Sequence, residues 1–280
     1  MYTSLVLCGN STNALITLGA LQYLYENSMI SKVKKYYATS SGTIISILLI
    51  IGYTPLEIIN MICFKKIFPN MGYFNFTNIF NGGSLLDFIP IENFLKFLIM
   101  DKIGYVPTMN DISTTFGCIF YLTTYNISDG LKEYINTENY PHLSVIDAIK
   151  MSCSFPLIFE PFSYQDKLYI DGGFVDNFPV GCTDSKDKCL GIFTKNPLSK
   201  LPRDKINMFD FFSHIFLAFV QSISVDKIEK TKHCDFIILN TSMNFFNFRS
   251  TNLEIINLFD KGYQLCKEQI LLGALKKIEI

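Results

Sequence analysis

The sequence predicts an α/β fold built on a central, mostly parallel sheet with helices on both faces. Two observations carry that prediction. The first 51 residues alternate short strand-like runs with longer runs of helical spacing, in the order strand, turn, helix, strand, turn, helix. The same rhythm returns in the second half of the chain. Parallel strands need crossover helices between them, and those helices bury both faces of the sheet.

Residues 3–8, "TSLVLC", read as a short buried strand, and residues 15–27 as a helix with apolar side chains at helical spacing. Between them "GNSTNA" is a turn rich in residues that cap helices. Residues 33–39 read as the second strand and 42–51 as a buried helix. Residues 56–100 are mostly helical in pattern, interrupted by the aromatic-rich "FPNMGYFNFTNIFNGG". Strands follow at 117–124 and 132–135, then a helix at 144–152 that leads into "SCSFPLIFEPF". A strand at 189–194, helices around 209–232, the strand "CDFIILN" and a closing helix at 253–275 complete the pattern. No Pro-, Gly- or Ser-rich linker and no repeat divides the 280 residues, so one domain over 1–280 is expected.

Composition narrows the function. The net charge of −1 offers no basic excess to hold a phosphate backbone, which argues against a nucleic-acid partner. Eight cysteines are scattered with no C-x-x-C pair, and no cationic segment precedes the first apolar run. That usage reads as reduced thiols in a cytoplasmic protein. The longest apolar run, residues 44–51, falls far short of the roughly 20 residues a membrane span needs, so a soluble chain is expected. No acidic calcium loop and no His/Cys metal spacing appears, so neither metal nor cofactor is expected.

Two segments carry possible chemistry. In "YYATSSG" the residues Ala38 to Gly42 align with a G-x-S-x-G nucleophile turn, Ser40 central and Ala38 in place of the first glycine. Such a turn lifts its serine to the carboxyl end of a sheet beside a helix N-terminus, where N–H groups favour developing negative charge. The other reading of this turn is a serine N-cap on the following helix. A nucleophilic serine needs a base. His142, His214 and His233 are badly placed for a triad; a triad esterase using His214 or His233 is the weakest reading. Asp171 in "YIDGGFVDNFPV" stands at a strand end before two glycines, where partial burial would raise its pKa into a useful range. It too has a bland reading, as a turn aspartate, and Asp176 is read as one.

In order along the chain, "CGNSTNALITLGALQYL", "ATSSGTI", "GGSLLDFIPIENFLKFL", "DAIKMSCSFPLIFEPF", "YIDGGFVDNFPV" and "LFDKGYQLCKEQI" resemble the blocks of the patatin-like phospholipases, over nearly the whole chain. The resemblance implies a three-layer α/β/α patatin-like fold and a Ser40–Asp171 dyad. Ser40 would attack a lipid ester and form an acyl-enzyme, with Asp171 as base and then as proton donor to the leaving alcohol. It implies a phospholipid or related lipid ester as substrate. The family's G-G-G-x-[RK]-G oxyanion loop corresponds here to Gly9-Asn10-Ser11-Thr12-Asn13-Ala14, keeping one glycine and replacing the basic residue by Asn13. Backbone N–H groups of Gly9, Asn10, Ser11 and Ser41 are the candidate oxyanion donors. Because that loop is altered, a weak or silent relative that binds lipid or protein is the alternative. The phenylalanine-rich residues 71–80 and 243–250 are read either as core or as anchors for transient contact at a membrane surface.

Overall fold

The computed structural model describes residues 1–75, 77–78, 83–196, 208–241, 247–273 and 275. The expected architecture is present: a central sheet in the order β5-β6-β3-β2-β1-β7-β8, with β4 also paired to β3. The strands are β1 Ser4–Leu7, β2 Lys35–Thr39, β3 Ile119–Asn126, β4 Leu131–Ile135, β5 Phe162–Tyr164, β6 Lys167–Asp171, β7 Cys189–Lys195 and β8 Cys234–Asn240. The block from β3 through β8 is parallel, and β4, β5 and β6 form an antiparallel extension on β3.

β1 lies between β2 and β7 and is buried at every position, which is why its sequence is uninterrupted rather than alternating. Its side chains still separate by parity. Leu5 and Leu7 join a large core with Tyr36, Ala38, Phe120 and Leu122. Val6 faces the other way, into a smaller core with Tyr37, Phe178, Phe193, Phe236 and Ile228.

The helices are α1 Ala14–Glu26, α2 Ser41–Ile50, α3 Pro55–Lys65, α4 Ile67–Asn70, α5 Ile89–Ile103, α6 Met109–Thr114, α7 Val145–Cys153, α8 Gly173–Asp176, α9 Met208–Lys230 and α10 Asn252–Leu271. The large core is filled from α1, α2, α3, α5, α7 and α10, and the smaller one receives Val225 and Ile228 of α9. Helix starts follow their chemistry: Thr54, Thr108 and Thr251 each close a capping box with the acidic residue three positions on.

One expectation is corrected. Cys189 and Cys234 are joined as a disulfide, whereas the sequence reads as reduced thiols throughout; the other six cysteines are free. The cause is register: the two residues pair at the starts of β7 and β8, with Cα atoms 4.6 Å apart, inside the range that a disulfide spans. One helix among the described residues, α9 over Phe211–Lys230, is long and apolar enough to cross a membrane by length and composition, a property that core helices of soluble proteins share. Its apolar residues are interspersed with polar ones, so a search for an unbroken run misses it.

Candidate active site

β2 passes into α2 through Ser40, whose φ of 52° and ψ of −128° lie in a region that L residues rarely adopt. Side chains and helix hydrogen bonds hold this turn in place. The Ser40 N–H donates to Ser152 Oγ (2.9 Å), and the Ser40 carbonyl accepts from Thr43 Oγ1 (2.6 Å) and the Thr43 N–H (2.8 Å). Gly42 is required by close approach, since a Cβ there would sit 2.8 Å from the Leu7 carbonyl oxygen. Ala38 lies in the regular strand, paired with Leu7 and Leu122, so its methyl meets no positive-φ demand.

The Ser40 hydroxyl does not cap α2. It donates to Asp171 Oδ2 at 2.6 Å. Sheet register explains how residues 131 positions apart meet. On β3, Thr123 pairs with Thr39 of β2 and with Tyr134 of β4, while Thr124 pairs with Asp171 of β6 and with Glu133 of β4. β2 and β6 therefore share the edge of β3 opposite β4, approach from opposite directions and end at adjacent rungs. The residue after Thr39 is thereby delivered to Asp171.

Asp171 is 2% exposed. Its Oδ1 accepts from the Gly173 N–H (2.7 Å), and its own N–H donates to the Ser154 carbonyl (3.0 Å). Burial pushes its pKa up to about 7, against the opposing pull of the hydrogen bonds from Ser40 and Gly173. A carboxylate held near neutrality is a competent base for a hydroxyl 2.6 Å away. Gly172 lies so close to β3 that a Cβ would meet the Thr123 carbonyl oxygen at 2.2 Å.

The loop at residues 9–14 departs from expectation in detail. Its N–H groups divide into two sets. The Gly9 N–H donates to the Asn177 carbonyl (3.1 Å) and the Asn10 N–H to Ser41 Oγ (3.1 Å), so both are committed within the protein. Ser11 and Ser41 line the cavity beside Ser40, and Ser11 adopts a φ of 49°. Ser41 opens α2, where the first N–H groups have no intrahelical acceptor. Neither loop asparagine caps a helix. Asn10 Nδ2 instead donates to Thr17 and Thr194, and Asn10 Oδ1 accepts from Ser41 Oγ. Asn13 binds Asn196 and accepts from Thr241. The two asparagines pin the loop through buried side chains where the resembled pattern uses glycine and a basic residue.

Asp176, read as a turn aspartate, instead ends the short helix α8 and is held by side chains from other elements. It is 3% exposed, accepts from Tyr134 OH (2.7 Å), is ion-paired with Lys227 and lies 3.9 Å from Lys132 Nζ. Those partners come from β4 and α9, elements that local sequence cannot connect. No histidine lines the cavity; His233 Nε2 meets Thr183 Oγ1 at 2.8 Å instead. Among the described residues no cluster of His, Cys, Asp or Glu could hold a metal.

The cavity above the Ser40–Asp171 pair has a volume of about 140 Å³ and is walled mainly by Leu, Ile and Phe from α1 to α5 and from the 155–159 segment. Part of each phenylalanine-rich segment lies outside the described residues, namely Phe76, 79–80 and 243–246. In the described part, Met71 is buried, Phe74 and Phe248 meet with ring centroids 6.3 Å apart, and Phe248 lines the cavity. Met71 belongs to a core cluster, and the half-buried Phe74 and Phe248 pack against it. Tyr73, 78% exposed, stands outside it with the Arg249 guanidinium 4.2 Å from its ring. Sequence reasoning missed Ser152, Asn177 and Phe216 as site components. Ser152 lies inside the "DAIKMSCSFPLIFEPF" block, but nothing local ties its hydroxyl to the Ser40 amide.

The sequence profile of the Patatin-like phospholipase family matches residues 5–182. A probable lipid hydrolase, 463L, of Invertebrate iridescent virus 6 is 28% identical over 273 residues, covering 93% of this chain and 86% of its own length. Protein R571 of Acanthamoeba polyphaga mimivirus is 24% identical, over 96% of this chain and 93% of its own. Among solved structures, VipD from Legionella pneumophila superposes with a TM-score of 0.58 at 14% identity, covering 98% of this chain and 67% of VipD. ExoU of Pseudomonas aeruginosa, in complex with SpcU, superposes at 0.54 and 15% identity, and the chain spans 52% of that structure's chain.

Proposed function

The chain belongs to the patatin-like phospholipase family, and on that premise we propose that it is a serine lipid acyl hydrolase working through a Ser40–Asp171 dyad. The observation that carries this reading is the 2.6 Å hydrogen bond from Ser40 Oγ to the buried Asp171 carboxylate, at the floor of an apolar cavity. The apolar walls suit an acyl chain, and the dyad suits a carboxylic ester.

The geometry supports the following proposed steps. Asp171 takes the Ser40 proton as Oγ attacks the ester carbonyl. The tetrahedral oxyanion is met by the N–H groups of Ser11 and Ser41 and by the N-terminal end of α2. Asp171 returns the proton to the departing alcohol, leaving an acyl-Ser40. Water, deprotonated by Asp171, then releases the fatty acid and restores the serine. The raised pKa of Asp171 serves both directions of this transfer. We place the enzyme in the cytoplasm, consistent with six free thiols, four of them buried.

One observation favours the weak or silent alternative: the N–H groups of Gly9 and Asn10 are spent inside the protein, which leaves a shorter set of donors. Loss of one such donor costs about 10²–10³ in rate, so attenuation rather than abolition is expected. Fatty-acid release from phospholipid vesicles by the wild-type chain, Ser40→Ala and Asp171→Asn tests the reading. Release lost in both variants supports the dyad. A folded wild-type chain that neither releases fatty acid nor labels at Ser40 with a fluorophosphonate would decide for the silent relative.

A further inference from the structure

α9 carries two apolar faces, and among the described residues protein covers only one of them. Phe216, Val220 and Ile228 are buried against the body, and Phe216 also lines the cavity beside Ser40. Beside that face, Phe211, Ile215, Phe219 and Ile223 recur every four residues and are 44%, 51%, 56% and 37% exposed. Between residues 211 and 225 only His214 can carry a charge. A helix that is apolar nearly all round belongs in a core or against lipid, yet only 28% of its most apolar window is buried.

Crossing a bilayer would strip this helix from the body and break the ion pair between Lys227 and the buried Asp176. Lying along a bilayer surface costs neither. The exposed stripe and the cavity are two sides of one aromatic wall. Phe155, which lines the cavity, packs on Phe216 with centroids 4.8 Å apart, and Leu157 in the same segment is 39% exposed.

We propose that α9 is a membrane-docking helix. Phe211, Ile215, Phe219 and Ile223 sink into the interface of a lipid bilayer while the adjoining buried face keeps its contacts, bringing the cavity wall against the lipid. An acyl chain then moves from bilayer to Ser40 along apolar surface. This inference rests on the lipid hydrolase reading for its purpose but not for its measurement. Because the stripe is uncharged, docking runs on apolar burial, and uncharged-surface vesicles of phosphatidylcholine suffice with little dependence on salt.

The test uses the full chain carrying Ser40→Ala, so that binding is read without turnover, and flotation with phosphatidylcholine vesicles at low and high salt. The expected result is vesicle association at both salt levels, reduced at least tenfold by adding Ile215→Glu and Phe219→Glu. In a chain with Ser40 intact, the same two substitutions should leave hydrolysis of a monomeric short-chain ester at the wild-type rate while most release from vesicles is lost. Unfolding midpoints matching the parent establish that the double variant is folded. Vesicle association that survives both substitutions would overturn the proposal. So would a concentration-dependent dimer, abolished by them, in a chain that does not float with vesicles, because a second copy would then be what covers the stripe. Vesicle association with no ester turnover by the intact chain would leave docking standing and remove the hydrolase reading.

Discussion

At the scale of single residues, Asp171 sets the pH behaviour. In its proposed role as base it must be ionised, so kcat/KM should rise with pH through an apparent pKa of about 7. An acid limb near 4, the range of a free aspartate, would contradict that assignment. Stability runs the opposite way. The folded chain holds this proton more tightly than the unfolded one, so the associated stability is complete below about pH 4 and is lost as pH rises toward 7. Asp171→Asn should therefore abolish activity yet raise stability at pH 8 by an amount on the order of a few kcal/mol, read as an increased unfolding midpoint. Gly9 gives a second prediction. A Cβ at Gly9 would lie 2.6 Å from Asn177 Oδ1 and 3.0 Å from Ser40 Cβ, so Gly9→Ala must displace the nucleophile or the loop. Turnover should fall by about 10²-fold or more with a smaller change in KM, as expected when a reacting group is moved by a fraction of an ångström.

At the scale of elements, the 9–14 loop and the α1–α10 crossing are the parts most sensitive to small changes. The Asn10 side chain makes three hydrogen bonds that no glycine could supply, buried ones to Thr17 and Thr194 and a part-buried one from Ser41. Asn10→Gly, which restores the resembled pattern, should therefore cost about 2–4 kcal/mol by denaturant titration, because it strands several buried polar groups at once. An unchanged midpoint would mean the network contributes nothing net. Where α1 crosses α10, Gly19 and Gly262 let the backbones touch: a Cβ on Gly19 would come within 1.8 Å of the Phe259 carbonyl oxygen, and one on Gly262 within 1.9 Å of that of Ile16. Gly19→Ala must push the two helices apart and should destabilise by about 3 kcal/mol or more, despite the better helix propensity of alanine.

At the scale of the whole molecule, Asp176 ties three elements together. Its backbone carbonyl accepts from Thr39 Oγ1, next to the nucleophile, and its carboxylate is held by Tyr134 of β4 and Lys227 of α9. The wall of the cavity that α9 supplies is thereby fixed to the sheet edge that carries the dyad. Lys227→Met removes the close cation from a nearly buried carboxylate and should cost about 3 kcal/mol, with Asp176→Asn in the same chain recovering part of it. Absence of any such recovery would show that the loss came from packing alone.

The chain by itself determined the order of its elements, the strand–turn–helix around Ser40, the strand-end position of Asp171 and the six blocks by which the family was recognised. Those are local features, written in periodicity, turn chemistry and small residues at fixed offsets. Only the tertiary structure decided which groups meet. The bond from Ser40 to Asp171 depends on β2 and β6 sharing one edge of β3; the loss of Gly9 and Asn10 as free donors depends on Asn177 and Ser41 arriving beside them. The burial of Asp176, the Cys189–Cys234 bond and the uncovered stripe of α9 are of the same kind. A hydrogen bond or a buried face is set by distances between residues far apart in sequence, and such distances exist only after the sheet has closed its register.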